Sequence, residues 1–333
     1  MRIALILFST GYGGLERHTI DLSNALSERH RVFLLADPAF APRLNPRVTL
    51  IPINPTASRW NLFALWQLRR QLQRIRPEVI HAQANKAAAM VRRCGATAPL
   101  RVATIHNLKN DPDSARGFDR VIAVSAPVAA SLRHPDCRVV LNGIDPPPPA
   151  AAEAVDALRQ QFAPDGAPLI LAIGRLVPAK GFDLLLAAWQ NLPGQLVIIG
   201  SGAEESALRA QAAAHPDQPR IHFVGYRDDI PTWLAAADLL VMPSRREGFP
   251  YTLIEALHSG LPVVASDFPG AADFLPEQAV VPRENIPALH AALQQALTDL
   301  AVTRDQFSSA FAKARAELTL QQMREKTEAV YAS

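Results

Sequence analysis

The feature that most constrains the fold is a repeated alternation of short apolar runs with helical stretches. In the first half of the chain these runs predict buried strands at 2–8, 32–36, 48–52, 79–82, 101–105, 121–124 and 139–141. Apolar runs of this length, separated by helices, are typical of a parallel sheet covered on both faces. The pattern predicts a Rossmann-like α/β domain, and the same alternation recurs after Gly174 and ends in helices from about Ile286.

Four consecutive prolines, Pro146–Pro149, separate the two alternating halves. A run of prolines is stiff, extended and poor in backbone donors, as is typical of a linker between compact units. We therefore predict one Rossmann-like domain over residues 1–148, a second over 149–317 and a last helix within 318–333. With 333 residues, 49% of them hydrophobic, the chain is long enough for two such cores.

The most informative chemical motif is a pair of glutamates, Glu247 and Glu255, with seven residues between them. The surrounding pattern predicts a buried strand at 239–242, a loop at 243–250 and a helix at 251–259. The helix N-terminus then lies at the carboxyl end of the strand, where free N–H groups favour an anion. Carboxylates on either side of a diphosphate can accept hydrogen bonds from sugar and ribose hydroxyls. The motif predicts a sugar-nucleotide site, and two solvated surface glutamates are the alternative.

A second predicted strand, 169–174, leads into two cations, Arg175 and Lys180, ahead of a helix predicted at 182–190. Arginine supplies planar paired donors and lysine a mobile charge. This combination suits a diphosphate whose negative charge grows as a glycosidic bond breaks. The alternative is two exposed loop cations.

These segments resemble the nucleotide-binding domain of retaining GT-B glycosyltransferases, the large family 4-like group of bacterial polysaccharide and lipopolysaccharide enzymes. The matching segments are the diphosphate motif Gly174–Gly181, the glycine turn Val197–Gly202, the base-flanking Val224–Arg227 and the two-glutamate signature Pro243–Ser266. Only the last is specific when taken alone. The resemblance implies a GT-B fold, in which two Rossmann-like domains face each other across a cleft and the last helix packs back on the first domain.

The resemblance also implies roles for individual residues. Glu247 would bind the transferred sugar near its 3-hydroxyl, Glu255 the ribose, and Arg227 lies where the base is contacted through the backbone. The leaving phosphate would take the proton of the acceptor on the same face of the sugar. Backbone amides for sugar and phosphate are expected from the segment formed by Gly248, Phe249, Pro250, Tyr251 and Thr252.

A glycine-rich loop, Gly11–Gly14, follows the first predicted strand and opens a helix. Its glycines allow the backbone to come close to a phosphate or sugar, and a simple tight turn is the alternative. Because Glu16 stands where a dinucleotide fingerprint needs its third glycine, NAD binding is disfavoured. The resemblance matches Gly13 and Gly14 to a loop that closes over the donor diphosphate opposite Arg175 and Lys180.

Two histidines, His81 and His106, lie at comparable strand ends. An isolated histidine is usually structural. The resemblance favours His106 as the residue that contacts the 6-hydroxyl of the transferred sugar. Asn107 follows it where the family more often has aspartate.

Charge is unevenly distributed. Residues 1–149 contain 20 Lys and Arg against 10 Asp and Glu, whereas residues 150–333 contain 14 against 21. A basic half attracts nucleic acid, anionic lipid or an acidic acceptor, but the motifs of nucleic-acid modules are missing. We therefore expect a glycan or lipid-linked acceptor and no nucleic acid. The stretch Arg59–Arg76 is typical of an interfacial helix on an anionic membrane, although a helix covering the sheet gives the same spacing and is the favoured alternative.

The N-terminal segment and the cysteines bear on the compartment. Met1–Phe8 is too short for a secretory signal and fits a first strand better. Cys94 and Cys137 form neither a disulfide framework nor a metal-ligand spacing. We expect a cytoplasmic protein, which the membrane alternative would place at the inner face of the cell membrane.

The leading hypothesis is a retaining hexosyltransferase that uses a nucleoside diphosphate sugar, with a UDP-sugar favoured over a GDP-sugar, and that acts in cell-envelope polysaccharide or lipopolysaccharide synthesis. No cofactor and no metal are expected, because Arg175, Lys180 and helix N-termini meet the diphosphate charge. A nucleotide-sugar epimerase or a phosphorylase on the same fold is one alternative. A non-catalytic nucleotide-sugar-binding protein is the other.

Overall fold

The computed structural model describes residues 1–108 and 110–333, which divide into two compact units. The first unit comprises residues 1–144 and 318–333, and the second comprises residues 145–317. The proline segment Pro146–Pro149 follows directly after the division. Each unit is built on one parallel sheet.

The first unit contains a seven-stranded sheet in the order β3-β2-β1-β4-β5-β6-β7. Its strands are β1 Arg2–Leu7, β2 Arg31–Ala36, β3 Thr49–Pro52, β4 Val79–Gln83, β5 Leu100–Ile105, β6 Arg120–Ala123 and β7 Cys137–Val139. Its first four helices are α1 Gly14–Leu26, α2 Leu62–Ile75, α3 Ala84–Cys94 and α4 Ala126–Ala130. Strands β1 and β4 are buried along nearly their whole length because helices cover both faces of the sheet, and β4 carries the buried polar residues His81 and Gln83.

The second unit contains a six-stranded sheet in the order β10-β9-β8-β11-β12-β13. Its strands are β8 Leu169–Ile173, β9 Gln195–Ile199, β10 Ile221–Gly225, β11 Leu239–Met242, β12 Val263–Ser266 and β13 Val280–Val281. Its helices are α5 Ala152–Phe162, α6 Phe182–Ala188, α7 Glu205–Ala213, α8 Ile230–Ala236, α9 Tyr251–His258, α10 Ala271–Phe274, α11 Ile286–Thr298, α12 Leu300–Gln306 and α13 Ser308–Glu317. The last helix, α14 Leu320–Ala332, belongs to the first unit and packs against α1.

Both sheets contain a point where the strand order reverses, between β1 and β4 in the first unit and between β8 and β11 in the second. Loops leaving the carboxyl ends of two such strands turn to opposite faces and open a crevice, which is where open α/β sheets bind ligands. In the second unit this topology brings the loop after Ile173 next to the loop after Met242. These are the two loops that carry the predicted cations and glutamates.

The chain leaves and re-enters the first unit at one place. Ile144 forms a bridge with Thr319, and Leu320 N donates to Ile144 O over 3.0 Å. A Cβ on Gly143 would lie 2.1 Å from the carbonyl oxygen of Thr319, so only glycine allows these two segments to cross so closely.

The predicted fold class, α/β with two Rossmann-like sheets, is confirmed. Many of the predicted element boundaries differ from the observed ones by one to three residues, and two of the larger differences have a clear cause. The helix predicted from Arg59 begins at Leu62, because the Asn61 side chain caps it by accepting from Ala64 N. Strand β7 ends at Val139 rather than Leu141, because its partner on β6 is Ala123, the last residue of that strand.

Candidate functional site

A partly buried ion pair lies at the carboxyl edge of the second sheet. Lys180 Nζ donates to Glu247 Oε1 over 2.5 Å, and Ser244 Oγ donates to the same oxygen over 2.8 Å. Glu247 is only 8% exposed. A carboxylate this enclosed requires partners, so the predicted cation and the predicted acid form one cluster. Both residues were predicted from the sequence, but their pairing was not.

The two loops are joined through their backbones. Arg245 N and Arg246 N both donate to Ala179 O, over 2.9 and 3.2 Å. Gly181 has a φ of +68°, and a Cβ there would lie 2.1 Å from the carbonyl oxygen of Pro243. A residue with a side chain would be both strained and in collision, so this glycine fixes how closely the loops approach.

A second ion-pair group holds the same loops from the outside. Arg245 donates to both carboxylate oxygens of Asp183, over 2.7 and 2.6 Å, and to Glu284 over 3.0 Å. The hydrogen bonds from Arg245 lower the pKa of Asp183, and those to Asp183 raise the pKa of Arg245. Paired planar donors of this kind fix geometry as well as charge. Arg245 therefore orients the segment that carries Ser244 and Glu247.

Helix α9 begins at the end of this loop. Its N-cap is Pro250, which provides no side-chain hydrogen bond to the first-turn amides. Amides without an internal partner at a helix N-terminus are suited to an anion. Gly248, Phe249, Pro250 and Tyr251 are buried, and Thr252 is half-buried. Glu255 stands on the second turn, half-buried, eight positions beyond Glu247.

The Phe249 ring anchors this turn. A Cβ on Gly270 would come within 2.5 Å of that ring, and Phe274 packs on it with ring centroids 5.6 Å apart. Phe249 therefore serves as a packing residue through its side chain. Only its backbone is left for the ligand contact that the resemblance implies.

The other two cations predicted in this unit, Arg175 and Arg227, lie just past the carboxyl ends of β8 and β10. Arg175 follows β8 and is exposed, and no described carboxylate pairs with it. The Arg227 side chain is directed to Asp229, with two hydrogen bonds of 2.9 Å that raise its pKa. In the glycine turn, a Cβ on Gly200 would lie 1.9 Å from the carbonyl oxygen of Gly174, so that glycine permits close approach of the two strand-exit loops.

In the first unit, the glycine-rich loop is held by an acid. Glu16 is 6% exposed, and its carboxylate accepts from Gly13 N over 2.8 Å and from the hydroxyl of Ser9. A Cβ on Gly13 would lie 3.1 Å from Glu16 Oε2. A side chain at Gly13 would therefore press on the capping carboxylate, which would have to shift slightly, while the adjoining Gly14 is exposed at the start of α1.

His106 lies just past β5, half-buried, in a polar chain. Its Nε2–H donates to Gln83 Oε1 over 3.0 Å, and Gln83 Nε2 lies 3.4 Å from His81 Nε2. His81 Nδ1 lies 2.6 Å from the hydroxyl of Tyr331 on α14. The last helix therefore supports the strand ends that position His106.

Two further histidines are enclosed. His81 is 0% exposed, and burial lowers its pKa to about 3. His18 is 2% exposed, its Nδ1–H donates to Asn142 Oδ1 over 2.9 Å, and burial lowers its pKa to about 4. The His18 ring meets the His106 ring edge-on at 4.6 Å. His81 and His18 are therefore neutral packing groups, whereas His106 reaches the surface.

Two observations on the part of the chain that the structure describes bear on metals and membranes. No group of three or more His, Cys, Asp or Glu side chains there is arranged to hold a metal ion. The Asp-x-Asp triplet Asp111–Asp113 forms a turn in which Asp111 Oδ1 accepts from Asp113 N over 3.0 Å. A metal-free reaction stays a prediction. Every described helix is too short or too polar to span a bilayer.

Four residues of these clusters were not predicted from the sequence: Ser244, Arg245, Gln83 and Tyr331. Ser244 and Arg245 directly precede the glutamate motif, so their position was a usable signal. Gln83 lies two residues beyond His81, at the carboxyl end of β4. Tyr331 gave no local signal, since its partner is 250 residues away in the chain.

Two family comparisons match adjoining parts of the chain. The model of the family described as "Glycosyltransferase Family 4" matches residues 12–147, and that of "Glycosyl transferases group 1" matches residues 155–314. The chain belongs to these glycosyltransferases.

Individual relatives agree with this family. The lipopolysaccharide core biosynthesis mannosyltransferase LpsB of Rhizobium meliloti is 37% identical over 166 residues, which cover 46% of each chain. A GDP-mannose-dependent α-mannosyltransferase of Mycobacterium tuberculosis is 28% identical over 260 residues, 70% of this chain and 65% of the relative. In both relatives the match spans less than two thirds of the relative's own length.

Among solved structures, Anabaena HepE in complex with UDP and glucose has a TM-score of 0.86, with 23% identity over 100% of this chain and 99% of the other. At this identity the likeness concerns the fold, and it identifies the glycosyltransferase GT-B architecture.

Proposed function

We propose that this glycosyltransferase moves a sugar, with retention of anomeric configuration, from a nucleoside diphosphate donor to a hydroxyl group. The acceptor is a glycan or lipid-linked sugar in cell-envelope polysaccharide or lipopolysaccharide synthesis. The observation that carries the proposal is the Lys180–Glu247–Ser244 cluster beside the uncapped N-terminus of α9. Membership of the glycosyltransferase families and the lipopolysaccharide relatives support it.

The cluster fits the charges of a bound donor. An ammonium group has three donors, so Lys180 can keep its bond to Glu247 and still donate to a phosphate oxygen. The exposed guanidinium of Arg175 and the first-turn amides of α9 supply further donors to the diphosphate. Glu247, held by Lys180 and Ser244, retains one carboxylate oxygen for a sugar hydroxyl. Glu255 is proposed to bind the ribose.

The chemistry follows from where charge develops. The bond between the anomeric carbon and the β-phosphate oxygen breaks, and the leaving nucleoside diphosphate takes the bonding electrons. Arg175, Lys180 and the α9 amides stabilise that growing charge. The acceptor oxygen bonds to the anomeric carbon on the same face, and its proton passes to the leaving phosphate oxygen. Gly13, Gly14 and His106 are proposed to bind the diphosphate and the transferred sugar from the first unit.

The donor base is proposed as uracil, which is supported by the complex of HepE with UDP and glucose. Because the Arg227 side chain is bound to Asp229, a base at this strand end would be contacted through the backbone. A GDP-sugar is the second candidate, since the Mycobacterium tuberculosis relative is GDP-mannose-dependent.

Release of nucleoside diphosphate from a panel of UDP- and GDP-sugars tests the proposal. A transferase releases diphosphate slowly to water and faster once a lipopolysaccharide-type acceptor is added, and product NMR shows the retained anomeric configuration. Conversion of the donor sugar without acceptor would indicate an epimerase. Donor binding with no release under any condition would indicate a non-catalytic binding protein and would overturn the proposal.

A further inference from the structure

Helix α2 and the turn directly before it carry four exposed large apolar side chains. Their exposed fractions are 68% for Trp60, 81% for Leu62, 64% for Phe63 and 53% for Trp66. Side chains of this size are rarely exposed together on a soluble protein without a partner. The same helix buries only Leu68, Leu72 and Ile75 against the first unit. The helix therefore covers the sheet with its second half and leaves the apolar side chains of its first turns in solvent.

The exposed side chains form an organised surface. The Phe63 and Trp66 rings stack with centroids 5.9 Å apart, and the Arg70 guanidinium lies 5.2 Å from the Trp66 ring centroid. Arg93, from α3, lies 3.3 Å from the ring centroid of Trp60. We call this surface the α2 face: Trp60, Leu62, Phe63 and Trp66 together with Arg59, Arg69, Arg70 and Arg74.

The charge of this region has one sign. Residues 38–77 contain seven arginines and no acidic residue. Arg59, Arg69, Arg70 and Arg74 are all exposed, and none of them pairs with a described carboxylate. Burial and the nearby charge of Arg59 both lower the pKa of Lys86, in keeping with a local excess of positive charge. Apolar rings rimmed by unpaired arginines complement a surface that is apolar inside and anionic outside.

We propose that the α2 face docks on an anionic phospholipid bilayer, with Trp60, Leu62, Phe63 and Trp66 in the interface and the arginines on lipid phosphates. Helices that lie in a membrane interface combine aromatic and leucine side chains with a cationic rim, and both halves of that pattern are present. Docking of this kind does not depend on the identity of the donor.

The charge pattern favours lipid over a second copy of the chain. Two copies of the α2 face brought together would set four arginines against four with no acid between them, which is repulsive. An anionic bilayer supplies about 1 kcal/mol of attraction per arginine near its surface.

Vesicle sedimentation of the full chain provides the test, with vesicles of phosphatidylcholine alone and of an equal phosphatidylcholine–phosphatidylglycerol mixture. Wild type is expected to sediment only with the anionic vesicles and to be released by high salt. The double variant Phe63→Ser/Trp66→Ser should partition at least about tenfold more weakly. Arg70→Gln/Arg74→Gln should partition about 25-fold more weakly, from a factor of about five for each charge.

Two matched controls lie on the second unit. Val302→Ser removes a side chain that is 51% exposed, and Arg304→Gln removes an exposed arginine, so neither should change partitioning. Tryptophan fluorescence adds a readout confined to the α2 face. Trp189 and Trp233 are 0% and 2% exposed, so a blue shift on adding vesicles reports Trp60 and Trp66. All variants should unfold like wild type, since the replaced side chains are exposed.

The proposal is overturned if the two double variants sediment as wild type does, or if wild type ignores anionic vesicles. It is also overturned if sedimentation equilibrium shows a dimer that Phe63→Ser/Trp66→Ser abolishes while vesicles have no effect. If the wild-type protein binds anionic vesicles but does not turn over any nucleotide-sugar donor, the proposed function is contradicted and the proposed membrane docking is not.

Discussion

Lowering the pH from 7 to 5 is expected to destabilise the first unit through two enclosed histidines. His81 and His18 have pKa values of about 3 and about 4, below the 6.5 of an exposed imidazole, because burial disfavours the charged form. As pH falls below 6.5, these two histidines bind protons in the unfolded chain but stay neutral in the folded chain. The stabilising contribution is therefore complete above pH 6.5 and is lost as pH falls towards the folded pKa values.

The size of the effect follows from those pKa values. Each pH unit below 6.5 costs about 1.4 kcal/mol per histidine, so the loss between pH 7 and pH 5 is about 2 kcal/mol for each and about 4 kcal/mol for both. Hydrogen exchange of peptides from β1 and β4, corrected for the intrinsic pH effect, gives the unfolding free energy of this unit. His81→Gln should halve the pH dependence, whatever it does to stability at pH 7. An equal loss in wild type and variant would refute the assignment of the effect to His81.

Three further predictions concern packing and positioning. Gly181→Ala should lower the unfolding free energy of the second unit by more than about 2 kcal/mol, measured by urea unfolding. The alanine Cβ would meet the Pro243 carbonyl at 2.1 Å, and the backbone φ at this position is +68°. An unchanged urea midpoint would contradict the close contact between the loops. Arg245→Met should lower the unfolding free energy by about 1–3 kcal/mol in the same assay and raise hydrogen exchange in the loop 243–250. The control Arg209→Met, in an exposed ion pair, should lower it by less than about 1 kcal/mol. Tyr331→Phe should destabilise the first unit by about 1 kcal/mol, because the hydrogen bond to His81 is lost. Equal melting temperatures of the variant and wild type would contradict a stabilising contact between α14 and β4.

The sheets could be predicted because their signal is local. A strand buried on both faces is an unbroken apolar run, and the intervening helices and the proline segment fix where each run ends. The glutamate motif could be placed for the same reason, since strand 239–242 and helix α9 follow each other directly. The strand order gives the motif its partner, because β11 lies beside β8.

The contacts within the site could not be predicted, because they join residues that are far apart in the chain. Lys180 and Glu247 are 67 residues apart, and nothing in either segment alone shows that the two side chains pair. Helix α2 illustrates a different limit. Its periodicity fitted both a sheet-covering helix and an interfacial one, and the structure assigns Leu68, Leu72 and Ile75 to the sheet and leaves the first turns exposed. Periodicity reports a common face, and it does not report what covers that face.

The central proposal is that Arg175 and Lys180 bind the diphosphate of a sugar nucleotide. Calorimetric titration of the nucleoside diphosphate that binds best, into wild type, Arg175→Met, Lys180→Met and the control Lys313→Met, tests it most directly. Lys313 lies in the same unit and donates to the Asp273 carbonyl, away from the two loops. We predict that each of the first two variants weakens binding by about 1.5–3 kcal/mol, the cost of a lost charged hydrogen bond, while the control binds as wild type does. Unchanged affinity in both Arg175→Met and Lys180→Met would contradict the account.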